Sequence, residues 1–480
     1  MAVALHFLPE LIVLAAALLV ALLDLWLERS RQVLHWIALA GIALGLASLA
    51  PLALRGPAGA EALPVWAELW RTDGFALFFK ALFLVSTGLV LLADRRFVEE
   101  RRLPAGELYA MLLFATLGMI MMASSHNLMV IYIGLELVGI TGYALSGLDK
   151  SDPRSSEAAL KYFLLGAVSS SILLFGLSLV YGLTGSLTLE GIGRVFTVPE
   201  GGVGLAGMAV LLLLVGFGFK IAAVPFHMWV PDTYQGSPTP VTAFLSVGPK
   251  AAGFAALLSL FVTGLPQATS FWRPLLAGVA VLTMTLGNLA ALSQTNLKRL
   301  MGYSSISHTG YVLAGLAVAT PYGFRAMLFY LAAYAFVNLA AFAIIIAVGT
   351  QRQAHELADY RGLGQQNTFM AVALTIFFLS LIGIPPTAGF FGKLYLFGAA
   401  IEQGYVGLAL VMVLNGVLSV PYYYAVIKEM FMGSPEPSAP PVTWPWGVEA
   451  AVIAGLVVAL GLGLGSDPLL RAATAVVNAL

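Results

Sequence analysis

The sequence predicts an all-α polytopic membrane protein with about 14 transmembrane helices. Three observations carry that prediction. Hydrophobic residues fill 60% of the 480 positions and charged residues only 10%, where a soluble domain carries roughly 25% charge. Apolar runs of about 20 residues, the length that crosses a bilayer, follow one another along the chain. Glycine is abundant, with 50 residues, and membrane helices tolerate glycine better than soluble ones.

The runs come in order. The first, 7–27, has no basic segment ahead of it, so it reads as a retained helix and not a removable signal. The second and third are 33–54 and 74–93, and these three make an N-terminal block, 1–106. Runs at 107–123, 128–148, 156–183, 203–224 and 241–263 form a second block, 107–263. Runs at 274–293, 302–319, 324–349, 369–400 and 406–428 form a third, 264–431. The last run, 447–465, lies in a C-terminal segment, 432–480. The longest connections are 55–73, 184–202, 350–368 and 429–446. Of the nineteen Lys and Arg residues in loops or at run edges, thirteen go with loops after odd-numbered runs. The positive-inside rule puts those loops in the cytoplasm and both termini outside.

Composition excludes several functions. The net charge is zero, which gives no basic patch for nucleic acid. Cysteine is absent, which removes thiolate metal sites, iron–sulfur ligation and disulfides. No Walker or dinucleotide-binding motif occurs, and no histidine pair has haem or zinc spacing. No cofactor is therefore expected in this chain. Energy for any transport must come from an ion gradient or a partner.

Charges inside the runs point to function. Lys80, Lys161, Lys220, Lys250 and Lys393 lie well within them, whereas Arg325 and Lys428 stand only at run edges and no arginine lies deeper. A lysine at mid-membrane costs about 2.5–3.5 kcal/mol and marks a bundle interior or a water path. Lysine can also release its proton, which arginine effectively cannot. Lys80, two turns in, is expected to snorkel to the interface, as Lys161 can. Glu136 sits mid-run in IYIGLELVGITGYAL and needs a partner from another helix, for which a lysine is the obvious choice. His227 is expected in or near the loop after the seventh run, and His308 lies among Ser304, Ser305, Ser307 and Thr309; both suit a proton relay. His6, His35, His126 and His355 receive no role.

Prolines mark helix breaks. Pro225 follows Lys220, Pro249 precedes Lys250, and Pro385 and Pro386 precede Lys393. Paired broken helices, one in each half, suggest inverted repeats around a transport site.

The same segments carry a family resemblance. GLELVGITGYAL, AALKYFLLGAVSSSILLFG, FKIAAVPFHMWVPDTYQGSPTPV, VGPKAAGF, NLKRLMGYSSISHTGY and SLIGIPPTAGFFGKLYLF resemble the antiporter-like membrane subunits of bacterial respiratory complex I. The likeness is greatest to the subunit N group, within the wider Mrp-type antiporter family. The resemblance implies fourteen helices, with helices 4–8 and 9–13 as inverted five-helix repeats and helices 7 and 12 broken. It implies that Glu136 and Lys220 pair in a cytoplasm-facing half-channel, that Lys250 connects, and that Lys393 serves an outward half-channel. Protons would pass Lys161 and His227 to Lys220, move sideways through Lys250 and His308, and leave by Lys393.

The implied setting is the bacterial inner (plasma) membrane, beside subunit M and small membrane subunits. NADH, FMN, iron–sulfur clusters and quinone are then expected in partner subunits, and this chain is a non-redox part of the translocase. The alternative is a subunit of a multi-part Na⁺/H⁺ antiporter or of a related membrane-bound hydrogenase.

Overall fold

The computed structural model describes residues 6–26, 31–55, 69–199, 204–352, 355–434 and 443–480. Of the connections expected to be long, 56–68, 200–203, 353–354 and 435–442 lie outside the described residues, as does Arg29 among the charges counted for sidedness. Among the described residues the chain is helical, with no strand.

The N-terminal helices are α1 (Leu8–Asp24), α2 (Arg31–Ala47), α3 (Leu49–Arg55) and α4 (Gly74–Arg101). Then come α5 (Ala105–Ser124), α6 (Leu128–Ser146), α7 (Pro153–Thr184) and the short α8 (Leu189–Val195). The middle of the chain holds α9 (Leu205–Ile221), α10 (Trp229–Gly236), α11 (Thr239–Ser259), α12 (Thr269–Ala291), α13 (Leu297–Ala317) and α14 (Pro321–Arg352). The rest is α15 (Leu363–Gln366), α16 (Thr368–Ile382), α17 (Ala388–Glu402), α18 (Val406–Met432), α19 (Trp446–Leu464) and α20 (Asp467–Val477).

Local chemistry sets the starts. Asp73, Asn127, Asp152, Asn296 and Asn367 each place a side-chain oxygen on a first-turn amide of α4, α6, α7, α13 and α16, which satisfies donors that a helix start leaves unpaired.

Ten helices among the described residues are long and apolar enough to cross a membrane. The gap from the fourteen expected runs has physical causes. Three other segments, α1, α9 and α16, are apolar but have only 17, 17 and 15 residues. The α13 helix has 21 residues but a run of serines, histidine and threonine lowers its apolar character. The expected single run 369–400 is two helices, α16 and α17, separated at 383–387.

The α11 and α14 helices are the core. Every residue of α11 is buried, and α14 is buried over nearly its whole length, as an all-round apolar helix requires. Outer helices keep lipid-type faces, for example Leu160, Phe163, Leu164 and Val168 on α7.

Two expectations change here, and one holds. Pro249 does not break its helix, because α11 runs through it. A proline lacks the amide that would bond the carbonyl four residues earlier, and the Tyr234 hydroxyl donates to that carbonyl, Leu245 O, at 3.4 Å. His227 lies where it was expected, in the connection that follows the α9 helix. It lies between α9 and α10, inside the break. Lys80 does not snorkel: it is fully buried and ion-paired with Glu10 of α1 at 2.6 Å.

Candidate functional site

Two broken helices frame the site. The α9 helix stops at Ala222, whose φ of 62° ends the turn. Its freed groups are taken by neighbours. Trp229 Nε1 donates to Phe219 O at 2.9 Å, Thr309 Oγ1 to Ile221 O at 2.8 Å, and Val224 N to Thr283 Oγ1 at 3.0 Å. Irregular backbone at membrane depth persists only when satisfied in this way. Pro225 and Pro385–Pro386 both lie in such breaks. At the second, Gly383 ends α16 with φ 94°.

The two lysines beside the breaks occupy related places. Lys220 is in the last turn of α9. Lys393, on α17, reaches back to donate to Leu381 O and Ile382 O at 2.9 and 2.8 Å. The Lys393 ammonium thus meets the C-terminal, negative end of a half-helix, whereas Lys220 lies in the last turn of one. In sequence one lysine precedes its break and the other follows it, which hides their shared place beside a break.

Lys220 is buried and its Nζ makes no hydrogen bond among the described residues. It lies 5.7 Å from the centre of the Tyr143 ring. Gly139 of α6 makes the room, since a Cβ there would stand 2.7 Å from Nζ and 3.1 Å from the Tyr143 hydroxyl. Glu136, one turn earlier, does not pair with Lys220. It accepts a hydrogen bond from Ser170 Oγ of α7, which also meets the Tyr132 hydroxyl at 3.1 Å. The expected partner on another helix exists, but it is a hydroxyl.

Lys250 and His308 sit in two hydrogen-bonded groups that meet at adjacent residues of α13, Ser305 and Ser304. Lys250 Nζ donates to Ser305 Oγ at 2.7 Å. Ser304, next in the chain, hydrogen-bonds the Tyr423 hydroxyl of α18. That hydroxyl meets His308 Nε2 at 3.3 Å, and the Tyr330 hydroxyl of α14 meets His308 Nδ1 at 2.6 Å. Tyr311 continues the line. Its ring lies 6.3 Å from that of His308 and 4.5 Å from Lys393 Nζ.

Lys161 is different. It is half-exposed, holding Glu157 at 2.7 Å and Asp232 at 2.8 Å. Asp232 also binds Arg299 Nη1 at 2.5 Å, so it clamps α10 between α7 and α13. Glu157 and Asp232 also edge a polar cleft with Arg154 and Gln235.

The structure thus sets the Lys250–Ser305 pair beside the Ser304–Tyr423–His308 group, brings Lys393 near them through Tyr311, and sets Gly253 of α11 where a Cβ would lie 3.6 Å from Lys220 Cβ. No hydrogen bond among the described residues links His227 or Lys161 to Lys220. Sequence reading missed Tyr330, Tyr423 and the clamping role of Asp232. Only the wealth of tyrosine, 17 residues, hinted at the first two. His355, given no role, accepts Leu297 N at its carbonyl. Burial, then the Lys298 charge, push its imidazole down to about 2, which suits a neutral anchor.

A family model described as NADH:quinone oxidoreductase/Mrp antiporter, TM, matches residues 125–419. The chain is 42% identical over 462 residues to NADH-quinone oxidoreductase subunit N of Trichlorobacter lovleyi, covering 94% of this chain and 91% of that protein. Among solved structures, a chain of respiratory complex I from Thermus thermophilus with bound aureothin superposes with a TM-score of 0.77 at 33% identity, covering 96% of this chain and 98% of that one. A chain of the Mrp complex from Dietzia sp. shares the fold, with a TM-score of 0.84 at 22% identity over 99% and 97% of the two chains.

Proposed function

This chain belongs to the NADH:quinone oxidoreductase/Mrp antiporter transmembrane family, and from that premise we propose that it is the proton-translocating subunit N of a bacterial complex I membrane arm. The observation that carries the mechanism is the buried line Lys250–Ser305, Ser304–Tyr423–His308–Tyr330. Hydroxyls and imidazole both donate and accept, so such a line can pass protons.

Protons enter from the cytoplasm through the cleft at Asp232 and Glu157, pass Lys161 and His227, and reach Lys220. They move sideways to Lys250 and His308, and Lys393 releases them outward. Glu136 tunes the path by leaving Ser170 for Lys220, which would create a pair that holds the ammonium charged. Because Glu136 is bonded to Ser170 and Lys220 Nζ has no hydrogen bond among the described residues, this is a switch and not a fixed bridge.

The architecture we propose has about 14 spans, with α9–α10 and α16–α17 each crossing as one broken span. Blocks 107–263 and 264–431 are inverted repeats, supported by a buried lysine beside a broken helix in each block. Both termini face outward from the inner membrane. The neighbours are subunit M and small membrane subunits. NADH, FMN, iron–sulfur clusters and quinone belong to partner subunits, so redox chemistry elsewhere drives the charges here.

The test is purification of the tagged native protein in gentle detergent, with an absorption spectrum and subunit mass spectrometry. Flavin and iron–sulfur absorbance with NADH-oxidising subunits is the expected result. A colourless preparation of small hydrophobic subunits only would overturn it in favour of a multi-part cation antiporter, and iron–sulfur subunits without flavin would favour a hydrogenase-type complex.

A further inference from the structure

The α4 helix, outside the residues that the family model matches, carries its own buried polar line. Lys80, Thr87 and Asp94 recur at seven-residue spacing and are all fully buried. That spacing drifts by about 20° per heptad, so the three share one face, with Lys80 and Asp94 about 21 Å apart along the axis.

Each position has a partner on another helix. Lys80 pairs with Glu10 of α1 at 2.6 Å. Thr87 Oγ1 meets Thr116 Oγ1 of α5 at 2.8 Å. Asp94 Oδ1 faces His35 Nδ1 of α2 at 3.7 Å. Neither oxygen of Asp94 is hydrogen-bonded among the described residues. Around His35 and Asp94 stand Trp36, Tyr109, Arg95 and Glu99.

The ends lie close to polar boundaries. Seven residues before Lys80, Asp73, partly exposed and paired with the buried Arg71, marks one, and just beyond Asp94 the partly exposed Arg95–Glu99 and Arg96–Glu100 pairs mark the other. A dry site tolerates an acid–base pair when it is neutral overall. With one proton shared between its partners, each pair is neutral wherever that proton sits. A proton received is then matched by a proton passed on, and the pair returns to the same state.

We propose that Glu10–Lys80, Thr87–Thr116 and His35–Asp94 form a second proton path across the membrane through the N-terminal helices, parallel to α4 and separate from the Lys220–Lys393 line. Gaps of about 10 Å between stations are crossed by water during turnover. The proposal rests on the proton-translocating reading above.

The test measures protons moved per NADH oxidised in proteoliposomes of the whole complex. Asp94→Asn and Lys80→Met should each lower the ratio at unchanged assembly and NADH oxidation. The double variant should lose no more than either single one, because stations on one path act in series, and Asp94→Glu should restore the ratio. An unchanged ratio in Asp94→Asn overturns the path. So does recovery in the apolar pair Glu10→Leu/Lys80→Met, which would show a structural bridge only. Should charge variants fail to assemble, Thr87→Val and His35→Asn decide, and unchanged ratios in both refute the path. Lys220→Met measured alongside separates the two accounts: if it lowers the ratio and Asp94→Asn does not, only the α4 path falls.

Discussion

Gly139 and Lys220 fit together as a slot and its contents. A Cβ at 139 would stand 2.7 Å from the Lys220 ammonium, and the carboxylate one turn earlier, Glu136, is held away by Ser170. The slot keeps the amine free of any fixed partner while leaving a carboxylate nearby that can be drawn in.

Gly139→Ala should therefore disturb Lys220 specifically. Overpacking a buried position costs about 1–3 kcal/mol, so the complex should assemble while proton movement falls. Ile140→Ala, on the outward face of the same helix, should be silent. Thermal melting of the purified complex and proton uptake into proteoliposomes check both.

Tyr423 tests the central line. Tyr423→Phe keeps the ring against Phe378 but removes the hydroxyl that joins Ser304 to His308. Leaving buried polar partners unmet costs about 1–3 kcal/mol. The expected outcome is a slower proton-coupled turnover with the protein still folded. Equal loss in Tyr424→Phe, whose ring is exposed, would indicate a general packing effect instead.

The lysines were legible because a membrane makes every buried charge conspicuous. Their partners were not, because partners such as Ser170, Ser305 and Tyr423 are ordinary residues brought in by tertiary packing. Lys80 was misread for the same reason: depth counted along one helix says nothing of Glu10 on another. Asp94 escaped notice because hydropathy ends the third run at 93, whereas the helix continues to Arg101 under cover of α2 and α5. The break at Pro225 was legible, but not that α10 resumes beyond it, and Pro249 looked like a break because Tyr234 could not be seen to accommodate it.

Asp232→Asn should loosen the clamp on α10. Its partners are partly exposed, with Lys161 44% accessible, so the stability loss should be small, about 0–1 kcal/mol. Proton uptake should slow more than stability falls, and the difference from the unaltered protein should shrink at high salt, where exposed charges are screened. Uptake rates across a salt series decide this.

The most direct measurement is the number of protons moved per NADH oxidised by the reconstituted complex carrying Lys220→Met, which keeps the side chain's bulk and removes its charge. A clear fall in that ratio, with the subunit still present by mass spectrometry, is what the proton-relay account predicts. An unchanged ratio at normal NADH oxidation would contradict it.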